Sequence, residues 1–256
     1  MATYKNYSLF IIGFLFLFCS CVTKKKILYL QDIKTIDVSK LSSSQHTFQE
    51  NDILKIDVTS LEPKASIFYN KTSVQGGVGT SLDLMMLNGY LVSKNKTINF
   101  PVLGVISVAD KSSVALENYL KERLEQEGHL INPIVEVRLL NAKVTILGEV
   151  KMPGTYTFIE KNMSLLQVLG LAGDLTIDGN RQDIILIRET DGKRFVENID
   201  LTSASWLTSS YQNIKPNDIL IINPNSKKVK SAGLLGNIST ALSIASILLS
   251  SIILIQ

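Results

Sequence analysis

The final 25 residues of the chain, 232–256, carry no charged side chain. An α-helix rises about 1.5 Å per residue, so a helix over this stretch would reach roughly 36 Å and could cross a hydrocarbon layer of about 30 Å. A buried core helix is the weaker interpretation, because the apolar run continues to the last residue and nothing follows to cover it. We therefore predict a C-terminal transmembrane helix over residues 232–256.

Small residues recur along this predicted helix at alternating steps of four and three. They fall on one stripe of the helix, and Leu, Ile and Ala cover the rest. The stripe consists of Ala232, Gly236, Ser239, Ser243, Ser246 and Ser250. Two interpretations stay open: a close-packing seam between helices in lipid, or a surface that faces water inside a ring of identical helices. Both imply that the chain self-associates.

The N-terminus has the pattern of a secretory signal. An apolar run at residues 9–18 is followed directly by Cys19, Ser20 and Cys21. Cleavage before Cys21 would leave the small Ser20 at the last removed position. The pattern resembles a bacterial lipoprotein signal over residues 1–20, which implies that Cys21 carries a diacylglycerol and an acyl chain. An uncleaved anchor is the alternative, although the run is short for a membrane span.

Composition limits the function classes that remain. The net charge is only +3, and no basic block with interleaved aromatic residues is present, which argues against a dedicated nucleic-acid binder. Lysine clusters at 24–26 and 227–230 flank the lipidation position and the apolar tail, and they favour contact with a membrane surface. After signal removal Cys21 would be the only cysteine, so we expect neither an intrachain disulfide nor a cysteine metal cluster.

No pattern of reactive side chains favours an enzyme. The carboxylates that a glycosidase would need occupy ordinary strand, turn and helix positions; they are Asp52, Asp57, Glu62, Glu117 and Glu136. His46 and His129 lie far apart without metal-ligand spacing. The glycine-rich stretch at 76–79 lacks the Lys-Ser or Lys-Thr pair of a phosphate loop, and no nucleophile-elbow pattern occurs. We expect no catalytic residue, no metal and no cofactor.

Strand and helix patterns divide the rest of the chain into two units, which predicts an α+β fold. In the first unit, short strands surround a helix at 114–125, which Ser112 or Ser113 caps. In the second, Ser164 is the predicted cap of a short helix, and Asp191-Gly192 is the predicted turn of a hairpin. The predicted boundaries are 21–45 for a polar tether, 46–141 and 142–224 for the two domains, and 225–231 for a linker.

Several of these segments follow one another along the chain in a characteristic order. In the first unit they are 51–58 (NDILKIDV), 89–92 (GYLV), 98–104 (INFPVLG) and 132–137 (NPIVEV), and in the second they are 148–156 (GEVKMPGTY), 165–169 (LLQVL) and 172–174 (AGD). The chain thereby resembles the outer-membrane polysaccharide export proteins of bacterial capsule and exopolysaccharide systems. Asn51 and Lys96 stand where that family usually has glycine.

The resemblance implies a polysaccharide export domain at 46–141, an SLBB-type β-grasp domain at 142–224, and the C-terminal transmembrane helix. It further implies a lipid-anchored homo-oligomeric ring, for which it suggests an octamer, whose last helices cross the outer membrane and form a channel for capsular or exopolysaccharide. The implied partner is an inner-membrane co-polymerase or tyrosine kinase. In this interpretation Gly236, Ser239, Ser243, Ser246 and Ser250 line the pore or pack against neighbouring helices. The alternative is an anchored β-grasp binding or structural lipoprotein without a pore.

The lysines before the tail agree with the outer membrane as the destination. Lipidation would place the N-terminus outside the cytoplasm, so a helix crossing the inner membrane would leave Lys227, Lys228 and Lys230 on its periplasmic side. That arrangement violates the positive-inside tendency, whereas crossing the outer membrane raises no such conflict. Val22 follows Cys21 where an aspartate would signal inner-membrane retention, so the lipoprotein analogy also favours the outer membrane.

Overall fold

The computed structural model describes residues 27–35, 46–71, 81–232, 242–244, 246–247 and 250–251. Within them lie two hydrophobic cores, one in each predicted domain, and Leu139 packs against both. The fold mixes α-helices and β-strands, as predicted. We refer to residues 46–141 as the first domain and to residues 142–224 as the second domain.

In the described residues of the first domain, 46–71 and 81–141, a three-stranded antiparallel sheet combines with a separate hairpin and three helices. The sheet has the order β2-β1-β5, and β3 pairs with β4. The elements are β1 (Ile53–Thr59), α1 (Pro63–Ser66), α2 (Leu82–Leu87), β2 (Tyr90–Leu91), β3 (Thr97–Phe100), β4 (Gly104–Ser107), α3 (Ser113–Gln126) and β5 (Ile134–Leu139). A 3-10 turn at Ile67–Tyr69 follows α1.

Helix α3 forms because its apolar residues recur every four positions and a serine caps its start. Leu116, Leu120 and Leu124 are fully buried on one side. The Ser112 hydroxyl accepts a hydrogen bond from the Ala115 N–H, which satisfies one of the otherwise unpaired amides of the first turn. The predicted helix and the predicted cap at Ser112 are therefore confirmed.

The second domain is built on a five-stranded mixed sheet with the order β10-β9-β12-β6-β7. Strand β12 runs parallel to β6 and antiparallel to β9. The elements are β6 (Lys143–Gly148), β7 (Gly154–Thr157), β8 (Met163–Ser164), α4 (Leu165–Leu171), β9 (Gly179–Thr190), β10 (Lys193–Ile199), β11 (Asn213–Ile214) and β12 (Ile219–Pro224). Strand β11 pairs with β8, and a 3-10 turn lies at Ser205–Thr208.

Turn chemistry in the second domain matches the sequence prediction. Ser164 and Gln167 form a capping box at the start of α4. Asp191 and Gly192 both have positive φ, 53° and 72°, as a two-residue hairpin turn between β9 and β10 requires. The predicted cap and the predicted hairpin turn are confirmed.

Asn51 and Lys96, the two departures from the glycine pattern, keep a left-handed backbone. Their φ values are 70° and 52°. Asparagine tolerates this conformation better than most residues, whereas a lysine there carries a conformational cost. Lysine at position 96 makes an ion pair that glycine could not make. The Lys96 ammonium lies 2.5 Å from a carboxylate oxygen of Asp191 in the second domain.

Gly148 is required where β6 runs beside β12. Its φ is +90°, and a Cβ atom there would lie 2.1 Å from the Ile222 carbonyl oxygen. We expect Gly148→Ala to destabilise the second domain by about 2–5 kcal/mol, the sum of left-handed strain and overpacking. Gly192→Ala is the matched control, because Gly192 has φ +72° and open space around it. Chemical denaturation that follows the chain's single tryptophan, Trp206, measures both variants, and equal losses would contradict the clash.

The segment before the tail, treated as a linker in the sequence analysis, is the short helix α5 (Ser226–Ser231). Asn225 caps it by accepting hydrogen bonds from the N–H groups of Lys227 and Lys228. Among the described residues, no helix is both long and apolar enough to span a membrane. Most of the predicted transmembrane helix, 233–241 included, lies outside the described residues, so that prediction stays a prediction.

Candidate functional site

Three of the six sequence-predicted site residues lie in the described part of the chain. Cys21, Gly236 and Ser239 fall outside it. Ser243, Ser246 and Ser250 are helical and exposed, at the spacing that places them on one side of the helix. Their pore-lining role is not tested by this geometry.

Two hydroxyls of the stripe, those of Ser246 and Ser250, bond to their own helix. Ser246 Oγ donates to the Ser243 carbonyl oxygen at 2.9 Å, and Ser250 Oγ donates to the Ser246 carbonyl oxygen at 2.8 Å. Each such hydroxyl thereby uses its one proton and retains oxygen lone pairs as acceptors. These positions therefore offer neutral, weakly polar groups without charge.

Residues 28–32, which we name the N-terminal strap, dock on the second domain. The N–H groups of Leu30 and Gln31 donate to the carbonyl oxygens of Leu201 and Thr202 at 2.9 and 2.8 Å. The carboxylate of Asp32 accepts hydrogen bonds from Ser203 and Ala204; the bond from Ser203 is the main reason why the pKa of Asp32 lies below its usual range. This part of the predicted tether is therefore held against the second domain.

The strap and α5 contact the same loop of the second domain, residues 174–178. Tyr29 Oη donates to Asp174 Oδ1 at 2.6 Å. Burial raises the pKa of Tyr29, and the bond to Asp174 raises it further. On the α5 side, the Asn225 N–H donates to the Asp178 carbonyl oxygen at 2.6 Å, and Lys228 Nζ lies 3.3 Å from the Asp178 carboxylate. The segments that lead to Cys21 and to the apolar tail thus leave the second domain beside one loop.

A cleft of about 290 Å³ lies between the two domains. The first domain contributes His46, the start of α3 and the end of β5; the second contributes residues 158–162 and 213–216. The volume is just below the ~300–1,000 Å³ range typical of small-molecule sites. This cleft is a candidate binding site that no sequence pattern indicated.

Direct contacts fix the walls of the cleft relative to one another. Lys161 Nζ lies 3.4 Å from Glu117 Oε1, and that oxygen also accepts a hydrogen bond from the Val137 N–H. At a second contact, the hydrogen bond from Lys96 is the largest cause of a lowered pKa at Asp191. Both contacts join the first domain to the second.

The charge of Lys215 is the main electrostatic feature of the cleft. It lines the cleft, and no ion pair of the described residues includes it. Burial lowers its pKa, and the nearby Arg188 guanidinium lowers it further. The cleft therefore contains a partly desolvated cation that forms no ion pair with a carboxylate of the described residues.

Arg188 and Asp218 form a buried ion pair behind this wall, with side chains 7% and 1% exposed. Arg188 donates from Nε and Nη2 to the two carboxylate oxygens of Asp218 at 2.9 and 2.7 Å. It also donates to the carbonyl oxygens of Ser210 and Asn213, and the Lys215 N–H donates to Asp218. This network holds β9, the loop before β11 and the start of β12 together and positions the Lys215 backbone.

Most of the residues weighed as enzymatic candidates are in structural contacts. His46 Nε2 lies 3.2 Å from the buried Asp52 carboxylate, and His129 Nε2 lies 3.3 Å from Glu127. Glu117 and Glu136 are in the pairs with Lys161 and Arg138. In the part of the chain that the structure describes, no group of three or more His, Cys, Asp or Glu is arranged to hold a metal ion.

Comparison with known proteins gives matches to both domains. Residues 41–140 match the family model described as "Polysaccharide biosynthesis/export protein", and residues 143–196 match the "SLBB domain" model. The two matches cover nearly all of the first domain and the second domain as far as Val196, whereas the cleft residues 213–216 lie beyond them.

Two curated relatives are both named "EPS I polysaccharide export outer membrane protein EpsA". The protein of Ralstonia nicotianae is 31% identical over 121 residues, which cover 43% of this chain and 31% of the relative. The protein of Ralstonia solanacearum is 27% identical over 140 residues, 53% of this chain and 36% of the relative. The aligned region thus spans only about a third of each relative's length. With both family models matched in order, the chain belongs to the polysaccharide biosynthesis/export family, and an SLBB domain follows its export domain.

Proposed function

We propose that this protein is an outer-membrane lipoprotein that forms a homo-oligomeric channel for the export of capsular or exopolysaccharide. Cys21 is the lipidated residue in this proposal, and the C-terminal helices of the ring cross the outer membrane. The family membership and the printed names of the relatives support the export role. An inner-membrane co-polymerase or tyrosine kinase is the proposed partner.

One observation carries the membrane part of the proposal: the strap and α5 leave the second domain beside the 174–178 loop. A chain that is attached to one membrane at both ends needs both attachments on the same side of its folded part. The exposed lysines of α5 then lie next to the start of the apolar tail, where they meet the membrane surface.

The proposed mechanism is passive guidance of the polymer through a wet lumen. A conducting path must bind its cargo weakly enough to release it. The Ser243, Ser246 and Ser250 side chains suit this requirement, because they present hydroxyl oxygens and no charge. Direction comes from synthesis and from the inner-membrane partner. The proposal includes no catalytic step.

Oligomeric size tests the proposal against the alternative of an anchored lipoprotein without a pore. After extraction in mild detergent, we expect the protein to migrate on a native gel as one discrete large species. Cys21→Ser is the matched variant for lipidation: it should lose metabolic labelling with palmitate. A monomer in mild detergent would favour the anchored binding protein.

Surface labelling tests the direction of the tail. A cysteine placed at Ser250 should react with a membrane-impermeant maleimide on intact cells, whereas one at Lys121, on the exposed side of α3, should react only after the outer membrane is opened. Lack of reaction at position 250 in intact cells would contradict a helix that crosses the outer membrane.

A further inference from the structure

The cleft between the domains has features of a ligand site that neither the export role nor the family matches assign. Its two walls belong to different domains, and ion pairs hold them in place. Its volume of about 290 Å³ suits one or two sugar rings, not a whole polymer.

Among the charged residues that line the cleft, the half-buried Lys215 is the one that an anion would suit; the Glu160 carboxylate also lines the cleft, but it is exposed and accepts a hydrogen bond from the Ile159 N–H at 3.1 Å. Arg138 is paired with Glu136 at 2.5 Å, and Lys161 is paired with Glu117 across the domain boundary at 3.4 Å. Lys215 has no such pair among residues 27–35, 46–71 and 81–232. Burial is the largest cause of its lowered pKa and the Arg188 guanidinium adds to it, while the carboxylates of Asp218 and Asp191 only partly offset them, so its charge is unfavourable where it lies. A carboxylate in the cleft would relieve that cost with a charge-assisted hydrogen bond.

The neutral groups of the cleft are suited to a sugar. Ser113, Asn162 and Asn213 supply hydroxyl and amide groups that both donate and accept hydrogen bonds. Val114 from the first domain and Ile159 from the second are apolar, line the cleft and are 42% and 70% exposed, so they can cover the apolar faces of a ring. Phosphate or another small anion would use the cation but neither of these apolar walls.

We propose that the interdomain cleft binds an acidic sugar residue of a saccharide chain, with Lys215 pairing with its carboxylate. The choice of a saccharide rests on the proposed export function; the choice of an anion rests on the geometry of the cleft. The site is distinct from the serine stripe of the C-terminal helix, so the two can be tested separately.

A pair of matched disaccharides tests the inference. Cellobiuronic acid and cellobiose differ only in the carboxylate of one ring, and isothermal titration calorimetry on the detergent-extracted full-length protein measures both. We expect the acid to bind about tenfold more tightly than the neutral disaccharide, and Lys215→Gln to remove that preference. Lys121→Gln is the control, because Lys121 is an exposed lysine that does not line the cleft.

Three results would overturn the proposal: no binding of cellobiuronic acid, equal affinity for both disaccharides, or an unchanged preference in Lys215→Gln. The Lys215 N–H bonds to Asp218 through the backbone, so the substitution should leave the fold intact, which the Trp206 fluorescence transition checks. Wild-type protein that exports polymer but binds neither disaccharide refutes the cleft site alone. Protein that binds the acid but gives a monomer in mild detergent refutes the channel alone.

Discussion

Replacing Ser243 and Ser246 together by leucine is expected to abolish surface polysaccharide, with a loss of at least about tenfold, while protein level and lipidation stay normal. The two exposed side chains share one side of the helix, one turn apart. Leucine there would narrow the proposed lumen and remove its hydroxyl oxygens, and an apolar constriction can close a pore by dewetting. Antibody or lectin staining of intact cells measures the exported polymer.

Two further variants show whether a loss of export depends on the position of the change around the helix and on the added bulk of leucine. Ser251→Leu makes the same chemical change about 100° away around the helix, off the stripe, and should leave export intact. Ser243→Ala with Ser246→Ala removes the hydroxyls without adding bulk, and we expect it to retain most export. If the leucine variant exports normally, the stripe is a packing seam and the lumen lies elsewhere.

Removing the Asp218 carboxylate is expected to cause the largest loss of stability. In Asp218→Ala, the Arg188 guanidinium stays buried without its bidentate partner, and breaking such a pair costs about 3–5 kcal/mol. The Lys215 N–H loses its acceptor as well. Chemical denaturation followed by Trp206 fluorescence is a direct measurement, because Trp206 lies in the core of the second domain.

The exposed ion pair of the same hairpin is the matched control. Arg194 and Glu189 are 69% and 61% exposed, so Glu189→Ala should cost less than about 1 kcal/mol. Replacing both buried partners, with Arg188→Met and Asp218→Leu, should be less harmful than Asp218→Ala alone, because no uncompensated charge remains. A loss below about 1 kcal/mol in Asp218→Ala would show that water or another group compensates Arg188.

Helix caps and tight turns could be predicted from the sequence because they depend on residues close together in the chain. The cap at Ser112, the capping box at Ser164 and the Asp191-Gly192 turn each involve residues within four positions of one another. The buried side of α3 could be predicted as well, since its leucines recur every four positions.

Contacts between distant residues could not be predicted in this way. The cleft depends on Lys215 approaching the start of α3, about a hundred positions earlier in the chain, and no periodicity encodes that distance. The ion pair of Arg188 and Asp218 could not be predicted either, because each residue alone is typical of a solvated strand or turn. The available signal was a charged residue directly beside each of two apolar runs, Arg188 after 184–187 and Asp218 before 219–222, since arginine and aspartate rarely lie inside a sheet without a partner.

The strap also bears on which domain would lie nearer the membrane. From Cys21 to Leu28 the chain spans at most about 25 Å, so a lipid on Cys21 would keep the strap side of the second domain close to the bilayer. The helix α5 leaves beside the same loop, and an apolar tail that entered the bilayer would add a second restraint there. The first domain has neither attachment and joins the second through residues 140–142, whose Asn141 bonds back to β1. In an envelope with two membranes, a protein arriving from the opposite side would therefore meet the first domain before the second.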